Sequence, residues 1–244
     1  MLAKSKVKYI QSLGQKKHRD EERCFIAEGP KLVEELLSSK NAVIREILGV
    51  ADWINEKRQL LNDVAFLQVQ EHELEKISQL TTPNKVLAIV EQFDDGEAGD
   101  IKAKIILALE TIQDPGNLGT IIRIADWFGV EQIVCSMDCA DRNNPKVVQA
   151  TMGSIARVKM IYTDLKPWLE TQKSKHIYAT TLGGENISAM EKIKEGIILI
   201  GNESKGISNE ILQVANTTIT IPKKGNAESL NAAVATGIIL SHVL

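Results

Sequence analysis

The hydrophobic pattern changes character near residue 100. Before it, short apolar runs alternate with helical stripes. Phe25-Ile26-Ala27-Glu28 predicts a strand closed by the Gly29-Pro30 turn, and Leu32, Leu36 and Leu37 share one face of the helix that follows. Two further strand-then-helix units are expected around residues 43–50 and 65–69, and another strand over 85–92, its start marked by Pro83 and Asn84. Residues 94–100 are acidic, glycine-containing and aperiodic, and read as a linker. From Lys104 onward the strands are longer and almost wholly apolar, at 105–109, 132–135, 176–180, 197–200 and 218–221. Helical spacing between most of them predicts a largely parallel sheet covered on both faces. The expected organisation is α/β, with a smaller domain over 1–95 and a second over 101–244.

Composition narrows the class. A chain of 244 residues is long enough for two separate cores, and 43% apolar with 25% charged residues is ordinary for a globular protein. No apolar run approaches the roughly 18 residues of a membrane span. The N-terminal Met1-Leu2-Ala3-Lys4-Ser5-Lys6 has no apolar core, so no signal peptide, no membrane partner and a cytoplasmic location are expected. Cys24, Cys135 and Cys139 lack paired spacing, and His18, His72, His176 and His242 stand apart, so neither a disulfide framework nor a metal site is expected. A net charge of −3 argues against a protein that coats nucleic acid indiscriminately. Yet Lys4, Lys6, Lys8, Lys16, Lys17 and Arg19 precede any acid, and this basic arm either contacts phosphates or is the solvated face of a terminal helix.

Three segments carry candidate chemistry. In Gln113-Asp114-Pro115-Gly116-Asn117-Leu118-Gly119-Thr120-Ile121-Ile122-Arg123, a strand breaks into a turn and then a helix whose buried stripe is Leu118, Ile121, Ile122 and Ala125. Asn117 is its expected N-cap and Gly129 its stop. Asn117, Thr120 and Arg123 step along one edge of that helix, over the strand's carboxyl end, where open α/β sheets bind ligands; Arg123 could instead simply pair with Asp126. In Gly201-Asn202-Glu203-Ser204-Lys205-Gly206-Ile207-Ser208, an apolar strand again ends at a glycine, a carboxylate follows, and Ser208 is the expected cap of a helix over 209–214. In the third, Ile221-Pro222-Lys223-Lys224-Gly225 leads through Ser229-Leu230-Asn231 into a helix with a smooth small-residue face. Three strand ends of one design imply a composite pocket. Neither G-x-x-x-x-G-K-[ST] nor G-x-G-x-x-G is present, which argues against a phosphate loop and a nicotinamide fold.

These segments resemble the signature motifs of the SpoU (TrmH-type) RNA ribose 2′-O-methyltransferases: Asn-Leu-Gly-x-Ile-x-Arg, Gly-Asn-Glu-x-x-Gly-Ile-Ser and Ile-Pro-x-x-Gly-x-x-x-Ser-Leu-Asn. The stretch Phe25 to Glu35 resembles the opening of the family's small substrate-binding domain, itself similar to RNA-binding ribosomal proteins, and Ala150 to Val158 resembles its small-residue stretch before a strand. Lys223 and Ala232-Ala233 depart from the residues more usual at those places.

The resemblance implies a trefoil-knotted C-terminal domain, an exception to the rule that chains are unknotted. It implies S-adenosylmethionine bound mainly by backbone around Thr181, Leu182, Gly201, Ile221 and Leu230, an apolar slot suited to adenine. It implies catalytic roles for Asn117, Arg123, Glu203, Ser229 and Asn231, with RNA as substrate, ribosomal RNA favoured over transfer RNA. In the family the matching arginine acts as a general base. Deprotonating an arginine at pH 7 costs at least about 7 kcal/mol, so stabilising the developing alkoxide or clamping a phosphate is the preferred role for Arg123. Homodimerisation through the C-terminal domain is also expected, with Ala232, Ala233, Ala235, Thr236 and Gly237 covering more of their helix than one buried face needs. A transfer RNA ribose 2′-O-methyltransferase is the first competing reading; a non-catalytic RNA-binding protein is a further one, and it leaves Arg123, Glu203 and Asn231 without a purpose.

Overall fold

The computed structural model describes residues 2–61, 64–96 and 104–244, so the expected linker over 94–100 lies in its last four residues outside them. The chain divides into two compact units, Met1–Asp94 with Asp141–Arg157, and Asp95–Ala140 with Val158–Leu244.

In the first unit, helices α1 (Lys4–Ser12) and α2 (Lys16–Glu22) lead into β1 (Cys24–Glu28), α3 (Pro30–Ser38), β2 (Ile44–Gly49), α4 (Ala51–Glu56), α5 (Arg58–Leu61), β3 (Phe66–Gln68), α6 (Glu71–Ile77) and β4 (Val86–Glu91). The sheet order is β1-β4-β2-β3, with β4 antiparallel to both neighbours and β2 parallel to β3. Successive side chains of a strand point to opposite faces, and here both faces are buried. Phe25, Ala27, Val86, Ala88 and Val90 pack with Leu32, Leu36 and Trp53 on one side, whereas Cys24, Ile26, Leu87 and Ile89 pack with Ile10, Leu74 and Ile77 on the other. That is why β1 and β4 read as continuous apolar runs.

The second unit holds β5 (Ile105–Leu109), α7 (Pro115–Trp127) and β6 (Gln132–Ser136). After the segment that carries α8 (Pro145–Thr151), it resumes with β7 (Lys159–Thr163), α9 (Leu165–Thr171), β8 (Ile177–Asn186), β9 (Gly196–Ile200), α10 (Asn209–Leu212), β10 (Thr217–Thr220) and α11 (Ala232–Val243). All six strands are parallel, in the order β10-β8-β9-β5-β6-β7. Ile106, Ala108, Ile197 and Leu199 pack with Leu165, Trp168 and Ile211 of α9 and α10. On the opposite face α7 and α11 lie against each other, and a Cβ added at Gly237 would sit 3.6 Å from Ile124 Cδ1. The α/β fold with a parallel sheet is therefore as the apolar runs imply. The strand β7 was not expected from periodicity, because Lys159, Tyr162 and Thr163 dilute its apolar content at the sheet's edge.

Residues 141–157 fell within the second expected domain, but they pack with the first unit. Val148, Ile155 and Ala156 join the apolar layer of Phe25 and Leu36, Arg157 Nη1 donates to Glu35 Oε2 at 2.9 Å, and Asn41 Nδ2 donates to the Ala156 carbonyl. Gly153, at φ +99, lies so close to Glu35 that a Cβ would come within 2.6 Å of the Glu35 Cβ. The small-residue stretch is thus a packing requirement.

Arg19 corrects the reading of the basic arm. Its side chain is 2% exposed, donates through Nη1 to the Leu13 and Gly14 carbonyls at 3.0 and 2.8 Å, and pairs through Nη2 with Asp141 Oδ2 at 2.6 Å. Turning back the chain between α1 and α2 leaves carbonyls without helical partners, and the guanidinium satisfies them. Lys6 pairs with Glu46 and Lys17 lies 3.9 Å from Glu21, so Lys4, Lys8 and Lys16 remain as the exposed cations of the arm without an ion pair among the described residues. Asp141→Ala should strand the buried guanidinium and destabilise the protein by about 3 kcal/mol. Breaking the exposed Lys166–Glu210 pair should change stability little, and urea unfolding of both variants checks the contrast.

Candidate active site

Parallel strands bring every carboxyl end to one edge of the sheet, and the direction of chain progression reverses between β5 and β9. Leu109 and Ile200 are register partners, and Glu110 N donates to the Ile200 carbonyl at 2.9 Å, so the loops after β5 and β9 leave the sheet side by side. The first two of the three segments singled out in the sequence begin at this place.

The helix α7 starts earlier than its sequence suggests. Asp114 is the N-cap, accepting from Asn117 N at 2.8 Å, and Pro115 occupies the first turn. A proline is tolerated there because its missing N–H would have had no helical partner. Asn117 is thereby released from capping, and its side chain works between loops. Its Nδ2 donates to Glu203 Oε1 at 2.5 Å, and its Oδ1 accepts from Asn231 Nδ2 at 2.8 Å. Asn231 in turn caps α11 with its Oδ1, which accepts from Ala233 N and Val234 N, so this helix begins at Ala232 and not near Ser229. One residue from each segment is joined into a single hydrogen-bonded line.

The loop that carries Glu203 is itself tightly built. Asn202 and Gly206 exchange backbone hydrogen bonds, with Gly206 at φ +68, and Asn202 Oδ1 accepts from Ser204 N and Lys205 N. A Cβ on Gly201 would come within 2.5 Å of the Gly206 backbone, so the close approach that Gly201 permits is first that of its own loop. Ser208 marks the start of α10 but makes no side-chain cap, and α10 ends at Leu212.

The remaining sequence candidates are placed as follows. Thr181 and Leu182 belong to a bulge of β8, where pairing with β10 skips from Ala179 to Glu185. Gly184 in this bulge lies against the Thr218 carbonyl, where a Cβ would clash at 2.6 Å. Leu182 is 80% exposed, and Ile221 follows the end of β10 at the same edge of the sheet. Arg123 is exposed and lies six residues beyond Asn117 on α7, about 9 Å along the axis. Among the described residues it makes no ion pair, with Asp126 or any other. Ser229 and Leu230 lie exposed in the loop before α11, and Ser229 makes no hydrogen bond among the described residues.

Comparison with known proteins accounts for this arrangement. The sequence model of the SpoU rRNA Methylase family matches residues 104–241, and that of the MRM3-like substrate binding domain matches residues 4–88. The chain belongs to the SpoU rRNA methylase family. This methyltransferase is 30% identical over 241 residues, 98% of its own length and 95% of the relative's, to the 23S rRNA (guanosine(2553)-2′-O)-methyltransferase RlmP of Bacillus subtilis. Its fold is similar to that of an AdoMet-bound rRNA methyltransferase from Sinorhizobium meliloti, at a TM-score of 0.86 and 33% identity, covering 100% of this chain and 95% of that one. It is equally similar to a putative RNA methyltransferase of the TrmH family from Porphyromonas gingivalis, at a TM-score of 0.84 and 32% identity, covering 99% and 98%.

The methyl donor of this enzyme is S-adenosylmethionine, and the residues at the sheet edge fit it. Thr181 Oγ1 is buried and has no hydrogen-bond partner among the described residues. A buried hydroxyl left unpaired is costly, and a polar ligand atom at the bulge would satisfy it. Exposed Leu182 beside it offers an apolar surface to a base.

Sequence reasoning did not find Glu110, Thr111, Ser136 and Asp138, which hold this edge together with Asn202 of the second segment. Only the cluster of polar residues just past β5 and β6 could have drawn attention to them. Because Asn231 has two separable jobs, Asn231→Asp should keep the helix cap while losing the donor to Asn117. Thermal stability should be retained and methyl transfer fall, whereas Asn231→Ala should also lose about 1 kcal/mol of stability. Calorimetric unfolding beside a radiolabel assay separates the two effects.

Proposed function

We propose that this enzyme methylates a ribose 2′-hydroxyl of ribosomal RNA, as a homodimer, with the three loops at the carboxyl edge of the parallel sheet forming the reaction site. The observation that carries the site is the hydrogen-bonded line Glu203–Asn117–Asn231, which ties all three loops together. Two resemblances support ribosomal RNA over transfer RNA: the relative RlmP is named for 23S rRNA, and the similar Sinorhizobium meliloti structure is named as an rRNA methyltransferase. No helix among the described residues is long and apolar enough to cross a membrane. A ribosomal RNA substrate supports a cytoplasmic location. Residues 1–95 bind the RNA, aided by the exposed lysines of the arm, and residues 101–244 carry the chemistry.

When bound, S-adenosylmethionine supplies an electrophilic methyl group on a sulfonium. Thr181, Leu182, Gly201, Ile221 and Leu230 hold it, and the C-terminal chain forms a trefoil knot around this place. The tight Gly184–Thr218 approach supports such threading, because it requires backbones to pass without intervening side chains. Glu203, anchored through Asn117, sets the position of its loop. Asn231 and Ser229 border the ribose. Arg123 stabilises the negative charge that develops at the 2′-oxygen as its proton is lost to water and the methyl leaves the sulfonium, a thioether remaining, or clamps the neighbouring phosphate. Its exposure and lack of an ion pair among the described residues leave its charge available for an anion. A positive group that stays protonated lowers the barrier without the roughly 7 kcal/mol needed to make arginine a base at neutral pH.

The dimer reading rests on α7 and α11, which pack on each other and leave Trp127 84% and Val234 51% exposed. A two-fold axis uses such a patch twice, so one substitution acts on both sides of the interface.

The deciding experiment maps 2′-O-methylation in ribosomal RNA from cells with and without the gene. Loss of one specific modification supports the reading, and an unchanged map overturns it. Arg123→Ala should bind S-adenosylmethionine within about threefold of the unaltered protein but lose most methyl transfer, on the order of a hundredfold or more. Calorimetry and a tritium-transfer assay measure both. Light scattering over a dilution series should give twice the 26.9 kDa chain mass, and Val234→Glu should shift it toward the monomer.

A further inference from the structure

The loop that carries Glu203 is stapled at both ends to two consecutive residues at the exit of β5. At its far end Ser208 N donates to Glu110 Oε2 at 2.8 Å, and Glu110 is only 9% exposed. At its near end Asn202 Nδ2 donates to the Thr111 carbonyl at 2.9 Å. Between these anchors lie Glu203 and the bridge from Asn202 to Gly206.

Thr111 has φ +57, a left-handed conformation in which a β-branched residue persists only when its surroundings hold it. Those surroundings are present. Thr111 N donates to Ser136 Oγ at 2.8 Å, Thr111 Oγ1 donates to Asp138 Oδ2 at 2.8 Å, and Ser136 Oγ donates to Asp138 Oδ1 at 2.6 Å. The next residue is held as well, Ile112 N donating to Cys139 Sγ at 3.3 Å. Partial desolvation of the Asp138 carboxyl opposes its ionisation, but the hydroxyls of Ser136 and Thr111 and the charge of Lys205 outweigh it and hold the carboxyl below its ordinary range. An ionised carboxylate accepts the two hydroxyls on separate oxygens, which a carboxamide, with a single acceptor oxygen, cannot.

We propose that Glu110 and Asp138 are positioning residues for methyl transfer: Glu110 pins the far end of the Glu203 loop, and Asp138 fixes the Thr111 carbonyl on which its near end docks. Neither residue touches the reacting groups. Their effect reaches the chemistry through Asn202 and Glu203, so the inference rests on the reading of Glu203 as a site residue. Hydrogen bonds of this kind decide the last ångström of a catalytic loop, and displacements of that size are felt in the rate more than in ground-state binding.

The test is steady-state methyl transfer by the full-length protein with ribosomal RNA and tritiated S-adenosylmethionine, beside calorimetric cofactor affinity. Asp138→Ala and Glu110→Ala should each lower kcat by about tenfold or more, with the KM for RNA and the cofactor affinity within about threefold of the unaltered enzyme. Glu110→Gln, whose carboxamide oxygen still accepts from Ser208 N, should restore most of kcat. Asp138 is exposed, so Asp138→Ala carries the test even where Glu110→Ala fails to fold. Glu203→Gln is measured in parallel. Its loss of turnover beside full kcat in Asp138→Ala overturns the positioning role alone, as does a Glu110→Gln protein that folds and is as slow as Glu110→Ala. Full turnover in Glu203→Gln overturns the site reading and this inference with it.

Discussion

The amide of Asn117 donates to a carboxylate on one side and accepts from another amide on the other, and this pair of bonds gives the whole edge of the sheet a fixed polarity. Glu203 when ionised can only accept, so Asn117 must present its nitrogen there and its oxygen to Asn231. Asn231 must then give its nitrogen to Asn117 and its oxygen to the first N–H groups of α11. Reversing either amide would set acceptor against acceptor. Three loops that are remote in sequence are held in one arrangement because only one sequence of donors and acceptors closes the line.

That line is available only because α7 is capped by Asp114. With Asp114 accepting from the Asn117 N–H and Pro115 having none to satisfy, the helix start is capped without the Asn117 side chain. The acidic cap, the proline and the freed asparagine therefore form one device. The strands contribute the other half, since Leu109 and Ile200 in register bring the loop after β5 against the loop after β9, 91 residues later. The same economy appears in the first unit. A guanidinium satisfies the turn between α1 and α2 and meets its countercharge 122 residues further on, so the fold of this unit needs Asp141–Arg157 as well as its own N-terminal chain.

Much of this was legible locally. Apolar runs such as Ile105-Ile106-Leu107-Ala108-Leu109 marked buried parallel strands, and the stripe Leu118, Ile121, Ile122, Ala125 marked the inner face of α7; all of these but the half-buried Ile105 are buried. Strand, glycine, polar residues and helix recurring three times pointed to a composite site before any contact was known. Other features left no local trace. Arg19 reads as one more cation in a basic arm until its carbonyl and carboxylate partners are in place, and the bulge that presents Thr181 and Leu182 interrupts no hydrophobic period. The edge strand β7 is too polar for its periodicity to stand out.

The sequence alone determined which segments become strands and helices, where chain direction must change, and which three segments concentrate polar residues at strand ends. Backbone propensity and burial act within a few residues, and the order of residues records them. Tertiary structure decided the strand order β10-β8-β9-β5-β6-β7, the return of Asp141–Arg157 to the first unit, and the staples from Glu110 and Thr111 to the loop of Glu203. These depend on register and on donors meeting acceptors across nearly a hundred residues, and such matches exist only once the strands lie side by side.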